Sequence, residues 1–183
     1  MIALITGGSG SGKSEYAEKY ISMLSKGRKK YYLATMQAMG EEGKERVLRH
    51  RMLRAGKGFI TIEQARSIQD ACNKMESKDV CVLLECMSNL VANEMFMDDN
   101  EISVTALEDK IIKDVLVLSS QVGDLVIVGN NVFEDGIVYD RSTMDYIQAL
   151  GKIQTRLASL ADEVIEVVVG IPVYIRKEKK EWD

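Results

Sequence analysis

The chain has 183 residues, 46% hydrophobic and 28% charged, with a net charge of −4. That length suits one domain over residues 1–183 with a sizeable core, and the composition argues against disorder. The acidic balance argues against broad nucleic-acid or membrane binding. No apolar run approaches the roughly 20 residues of a membrane span, and the N-terminus lacks the pattern of a signal peptide, so a cytoplasmic protein is expected. Cys72, Cys81 and Cys86 are odd in number and lack zinc-site spacing, and read as buried reduced thiols.

In chain order, residues 2–6 (IALIT) read as a buried strand, followed by a glycine-rich turn and a helix over 13–25. A second strand is expected at 30–35. The charged, proline-free stretch 41–55 predicts a helix, and 59–62 (FITI) a short strand with a helix over 64–76. Residues 80–84 (VCVLL) lack alternation, as a strand buried on both faces does. Helices are predicted at 103–121 and 143–161, and strands at 125–129, 164–169 and, after Pro172, 173–175. Strands separated by helical crossovers predict an α/β fold, a mostly parallel sheet with helices on both faces. The irregular segment 130–142 is long enough to be a functional loop. The ten methionines read as core filler, and the tail KEKKEWD as a solvated end.

Gly7-Gly8-Ser9-Gly10-Ser11-Gly12-Lys13-Ser14 fits the pattern G-x-x-x-x-G-K-[ST]. It follows a strand and opens a helix, which argues against a chance glycine-rich turn. Glycines let backbone N–H groups turn around phosphate oxygens, and the helix N-terminus adds positive potential. Lys13 is placed to reach the β- and γ-phosphates of a bound nucleotide, and the Ser14 hydroxyl to ligate Mg²⁺.

Glu85 ends the buried run Val80–Leu84, and ligands of open α/β sheets bind at the carboxyl ends of strands. Its carboxylate suits either the Mg²⁺ shell or hydrogen bonds from a guanine or ribose; a solvated strand-end acid is the plain alternative. His50 is the sole histidine, within Arg46-Val47-Leu48-Arg49-His50-Arg51-Met52-Leu53-Arg54. On a helix, Arg46 and Arg54 stand one turn either side of it. They disfavour the imidazolium and suit a neutral ring attacking an α-phosphorus. On these residues alone, a surface histidine on a basic helix is the better reading.

The chain resembles the bifunctional adenosylcobinamide kinase / adenosylcobinamide-phosphate guanylyltransferase family of cobalamin biosynthesis. The resemblance rests on TGGSGSGKS at 6–14, YLATMQ at 32–37, ERVLRHRMLR at 45–54, LLECMSNLVANE at 83–94, GNNVFEDGIV at 129–138, LASLADEV at 157–164 and VVVGIPV at 167–173. It implies a RecA-like P-loop fold, a homotrimer, and two reactions. A nucleoside triphosphate, ATP or GTP, phosphorylates the aminopropanol hydroxyl of adenosylcobinamide; GMP then passes from GTP to that phosphate through a histidine–GMP intermediate. The family's R-[IV]-x-x-H-[KR] block falls on Arg46–Arg51, which places the guanylylated residue at His50. The implied nucleotide contacts are Gly7 to Ser14, Ala34, Thr35, Met36, Arg51, Met52, Leu53, Arg54, Glu63 and Glu85, with Lys13 catalytic beside His50.

The pattern departs from the family in the half expected to meet the corrinoid. An acid of the loop after the fifth strand is Asn131 here, a proline is Tyr139, and an N-Q pair of the next helix is Gln154-Thr155. Glu134 and Asp135 are candidates to replace the lost carboxylate. A small-molecule kinase without histidine chemistry, or a non-catalytic nucleotide-binding regulator, are the other readings of such a chain.

Overall fold

The computed structural model describes residues 1–37, 40–41, 43, 45, 48, 52, 56–97, 102–132, 136–137 and 139–177. Seven strands form one sheet: β1 (Ile2–Thr6), β2 (Lys30–Ala34), β3 (Phe59–Glu63), β4 (Cys81–Glu85), β5 (Asp124–Val128), β6 (Glu163–Val168) and β7 (Ile171–Lys177), in the order β3-β2-β4-β5-β1-β6-β7. The first six are parallel, so their carboxyl ends share one edge; β7 returns antiparallel to β6. It is an edge strand, the place where a sheet tolerates a residue without an N–H such as Pro172.

Four α-helices are described from end to end: α1 (Lys13–Ser25), α2 (Met87–Phe96), α3 (Val104–Ser120) and α4 (Arg141–Leu160), with a 3-10 helix at Ile68–Lys74. The alternation of side chains along each strand divides the core in two. Ala3, Ile5, Tyr32, Cys81, Leu83, Val126 and Val128 face α1, where Ala17, Tyr20 and Ile21 cover them. Leu4, Tyr31, Leu33, Val82, Leu84, Leu125 and Ile127 face the opposite layer of α2, α3, α4 and the 3-10 helix. Both faces of β4 are covered, which explains its unbroken apolar run.

Three expectations change. The helix predicted at 64–76 is the shorter 3-10 turn, because Ser67 enters it at φ 47 and the residues before it run irregularly. Helix α2 was not expected; it buries Met87, Leu90, Val91 and Glu94, one stripe at helical spacing. The cysteines and methionines are less buried than read. Cys81 is buried but Cys72 and Cys86 are half-buried, all three free. Among the described methionines only Met87 is fully buried, and Met23, Met52, Met97 and Met144 are exposed, since these sit on the outer faces of their elements or at helix ends. Described positions Gly40, Glu41, Gly43, Glu45, Leu48 and Met52 are helical, as predicted for 41–55. The tail beyond Lys177 lies outside the described residues.

Candidate nucleotide site

The turn from β1 to α1 is built around what glycine allows. A Cβ at Gly7 would stand 2.6 Å from the Val167 carbonyl oxygen and 2.6 Å from the Ser11 hydroxyl, so a side chain there collides with backbone. Gly12 precedes α1 at φ 88, the left-handed region that disfavours other residues. Ser11 donates its backbone N–H to Gly8 at 3.2 Å, closing the cradle, and the helix then starts with Tyr16 N–H on the Gly12 carbonyl at 3.0 Å. The N-terminal end of α1 thus points its free amides into the loop.

Lys13 curls back, its Nζ donating to the Gly8 carbonyl at 3.0 Å. Burial lowers its pKa below the ordinary 10.5, opposed by the attraction of Cys86 and Glu85. A lysine so placed gains most from an incoming polyphosphate, because phosphate oxygens replace the hydration it has lost. The Ser14 hydroxyl donates to Glu85 Oε1 at 2.5 Å, and the Tyr32 hydroxyl to Oε2 at 2.9 Å. Strand parity explains this meeting. In the sheet register Ala34 is opposite both Glu63 of β3 and Glu85 of β4, so the three sit in one row at the carboxyl edge, on the face that carries α1.

A cavity of about 150 Å³ opens here, lined by Lys13, Ser14, Tyr32, Ala34, Met36, Glu63, Glu85, Cys86, Asn89 and Asn130. It therefore brings together six of the residues singled out in sequence: Lys13, Ser14, Ala34, Met36, Glu63 and Glu85. Thr35 is beside it but fully buried, its hydroxyl donating to the Cys86 carbonyl at 2.8 Å and its own carbonyl accepting from Asn93 Nδ2 at 2.8 Å. Its side chain fixes the wall. Met52 is exposed, whereas His50, Arg51, Leu53 and Arg54, with Arg46, Glu134 and Asp135, lie outside the described residues.

Tyr32, Cys86, Asn89 and Asn130 were not singled out. Tyr32 was legible: two residues before Ala34 on a strand, it shares Ala34's face. Asn130 follows β5, and its amide nitrogen donates to the Ser88 hydroxyl and, at 3.6 Å, to Cys86 Sγ. Gln154 of α4 holds the Asn130 carbonyl at 2.9 Å. Only the crossing of β5, α2 and α4 brings these together.

The Ser14–Glu85 pair offers hard oxygen donors that suit Mg²⁺. Among the described residues no group of three or more His, Cys, Asp or Glu side chains could hold an ion. An ion here would share its shell with the nucleotide's own oxygens, which is how Mg²⁺ is commonly held.

β5 stands between the phosphate-loop strand β1 and the acid-ended strand β4. With the cradle at the end of β1, this order makes the molecule a RecA-like P-loop nucleotide-binding protein. Residues 3–175 match the family model "Cobinamide kinase / cobinamide phosphate guanyltransferase", and the chain belongs to that family. It is 30% identical to the bifunctional adenosylcobalamin biosynthesis protein CobU of Escherichia coli (strain K12), across 96% of this chain and 100% of that protein. It is 29% identical, with the same coverage, to the protein of that name from Salmonella typhimurium. Two solved structures are more distantly similar. Flagellar accessory protein FlaH from Methanocaldococcus jannaschii is 13% identical with a TM-score of 0.49, across 97% of this chain and 78% of that one. The KaiC-like protein PH0186 from Pyrococcus horikoshii OT3 is 12% identical with a TM-score of 0.49, across 90% and 69%.

Proposed function

We propose that this protein phosphorylates adenosylcobinamide with a nucleoside triphosphate and then transfers GMP from GTP onto the product, giving adenosylcobinamide-GDP. The observation that carries this reading is the cavity in which Lys13 and Ser14 of the phosphate loop meet Glu63 and Glu85 from neighbouring strand ends. In the kinase step the acceptor hydroxyl oxygen bonds to the γ-phosphorus, its proton is lost, and the bond to the β–γ bridging oxygen breaks to release the diphosphate. In the transferase step an imidazole nitrogen of His50 bonds to the α-phosphorus and pyrophosphate leaves. The acceptor's phosphate oxygen then takes the GMP and the P–N bond breaks.

Lys13 neutralises and orients the phosphates, and the loop amides hold them in line; such chemistry depends on positioning and electrostatics. Ser14 and Glu85 would hold Mg²⁺, which supplies charge neutralisation when bound. Glu63, opposite Ala34 in the cavity wall, suits a guanine edge, whose N–H groups donate to a carboxylate. Met36 and Ala34 give the base an apolar floor. A homotrimer is part of the reading, and the exposed apolar residues Ile171, Val173 and Ile175 on edge strand β7 favour a subunit contact. No described helix is long and apolar enough to cross a membrane; a cytoplasmic site of action fits the substrates.

The test is covalent labelling. GTP labelled at the α-phosphorus should leave acid-labile, base-stable label on the protein, and adenosylcobinamide phosphate should remove it. A His50→Asn protein that labels equally well would end the histidine proposal. Label arriving only from the γ-phosphate would leave a kinase alone.

A further inference from the structure

A second depression borders the phosphate loop on the side away from the nucleotide cavity. It is an open groove of about 600 Å³ lined by Gly8, Ser9, Gly10, Ser11, Asn131, Val132 and residues 166–169. Its floor is the outer side of the phosphate loop. One wall is the segment after β5, pinned by Asn131 N–H on the Gly7 carbonyl at 3.1 Å; the other is the end of β6 and its turn into β7, pinned by Gly170 N–H on the Ser11 carbonyl at 2.8 Å. Apart from the phosphate loop, none of the described nucleotide contacts implied by the resemblance lies in it.

Val169 marks the groove as a ligand site. Val169, at its lip, adopts φ 44 and is 84% exposed. A β-branched residue in the left-handed region is strained, and a two-residue turn of this kind prefers asparagine. Strain and an exposed apolar side chain together, at the edge of a concave site, point to a surface kept for contact.

We propose that this groove is the acceptor subsite, taking the corrin macrocycle of the corrinoid substrate; the assignment rests on the functional reading above. The macrocycle is broad and apolar on its faces and fringed with carboxamides. Val132, Val168 and Val169 offer the apolar shelf, and Glu166 and Asn131 stand at its margin as partners for the amides. An alkylcobalt(III) corrin carries one net positive charge, which the Glu166 carboxylate favours. The groove is continuous with Gly8 to Ser11, so an acceptor seated there adjoins the phosphates held by the same loop. A purine would leave most of this volume unfilled.

The experiment is calorimetric titration of adenosylcobinamide, and separately of Mg-GTP, into the full-length wild type, Val169→Trp, Val169→Asn and Glu166→Gln, with mass by light scattering. Tryptophan fills the groove and should weaken adenosylcobinamide by about tenfold or more, while GTP affinity stays within about twofold. Glu166→Gln should weaken adenosylcobinamide severalfold. Val169→Asn keeps the turn, should melt at or above the wild-type temperature, and should still lose corrinoid affinity, which separates contact from misfolding. Unchanged corrinoid affinity in all three variants overturns the assignment. Loss of GTP affinity instead gives the groove to the nucleobase, and a change of oligomeric mass gives it to a second copy; either overturns it. A wild type that binds no corrinoid sinks the functional reading together with the groove, whereas a binding wild type with indifferent variants sinks the groove alone.

Discussion

Glu94 is the most consequential buried charge in the described structure. Its side chain is 1% exposed and accepts from Ser67 N–H at 2.7 Å, Lys110 Nζ at 2.5 Å and Arg66 Nε at 3.3 Å. Lys110 also reaches Asp114 at 3.3 Å. Burial pushes the Glu94 carboxyl up, but Lys110, the Ser67 amide and Arg66 together hold it below the ordinary 4.5. Glu94→Ala leaves the Ser67 amide unpaired and removes the carboxylate that Lys110 and Arg66 share, although Lys110 keeps Asp114. Breaking a fully buried pair costs about 3–5 kcal/mol, but both cations stay roughly a third exposed and can rehydrate, so about 2–3 kcal/mol is expected. For a chain of this size that lowers the melting temperature by about 4–12 °C. The pH dependence has a definite sign. With its folded pKa below the unfolded one, Glu94 contributes stability that is present above about pH 4.5 and lost as pH falls through the folded value. Burial raises Asp114 above its ordinary 3.8 against the pull of Lys110. Asp114 therefore costs stability above its folded pKa, and that cost disappears on acidification. The melting difference between wild type and Glu94→Gln should be largest near neutrality and shrink below about pH 4.5. Glu94→Ala melting within about 2 °C of wild type at pH 7 would refute the reasoning.

Three further outcomes are expected. Because burial lowers the Lys13 pKa and a phosphate would raise it, Mg-GTP affinity should fall with a slope approaching one decade per pH unit at alkaline pH, between the two values. Calorimetry in buffers of differing ionisation heat should show matching proton uptake, and a Lys13→Arg protein with the same slope would contradict the assignment to Lys13. A Cβ at Gly129 would stand 2.6 Å from Gln154 Oε1, so Gly129→Ala should displace Gln154 from the Asn130 carbonyl and cost about 1–2 kcal/mol, with much of that absent in a Gln154→Ala background by chemical denaturation. Val169→Asn should raise stability by about 1 kcal/mol through relief of the left-handed valine, and a fall in melting temperature would count against the strain.

The middle of the sheet was legible because its strands are apolar on both faces and the phosphate loop announces where a strand gives way to a helix. Helix α2 was not, although Met87, Leu90, Val91 and Glu94 follow helical spacing. It starts two residues after β4 with no glycine, proline or capping side chain between, and its fourth buried position is a carboxylate that reads as solvent-facing. The seven-residue stretch Ile68–Lys74 carries enough apolar residues to suggest a longer helix, and only the Ser67 backbone and its bond to Glu94 show why it is confined. In the site, Lys13, Ser14 and Glu85 followed from local pattern, since loop and strand end each declare themselves. Asn130, Asn89 and Cys86 did not, because their place depends on where β5 ends and α2 begins relative to β1. The partners of Glu94 are further still, drawn from two separate segments, Arg66-Ser67 and the helix that carries Lys110.

The departures from the family pattern fall unevenly about the phosphate loop. Ala34, Met36, Glu63 and Glu85 keep the expected residues and gather in the cavity on one side. Asn131, where the family has an acid, stands in the wall of the groove on the other side, and Gln154 holds the backbone of the residue before it. Triphosphates are the same for every member of a family, so the cavity that meets them has little freedom to change. A macrocycle fringed with amides can be gripped by many arrangements of donors and acceptors, so its wall has more. With the lost acid replaced by an amide, Glu166 is the carboxylate left in the described part of the groove, and the burden of meeting a cationic corrin shifts to it. Glu166→Gln in this protein should therefore cost more corrinoid affinity than it does in an Asn131→Glu background, and equal costs in the two backgrounds, measured by calorimetry, would show that position 131 never faced the acceptor.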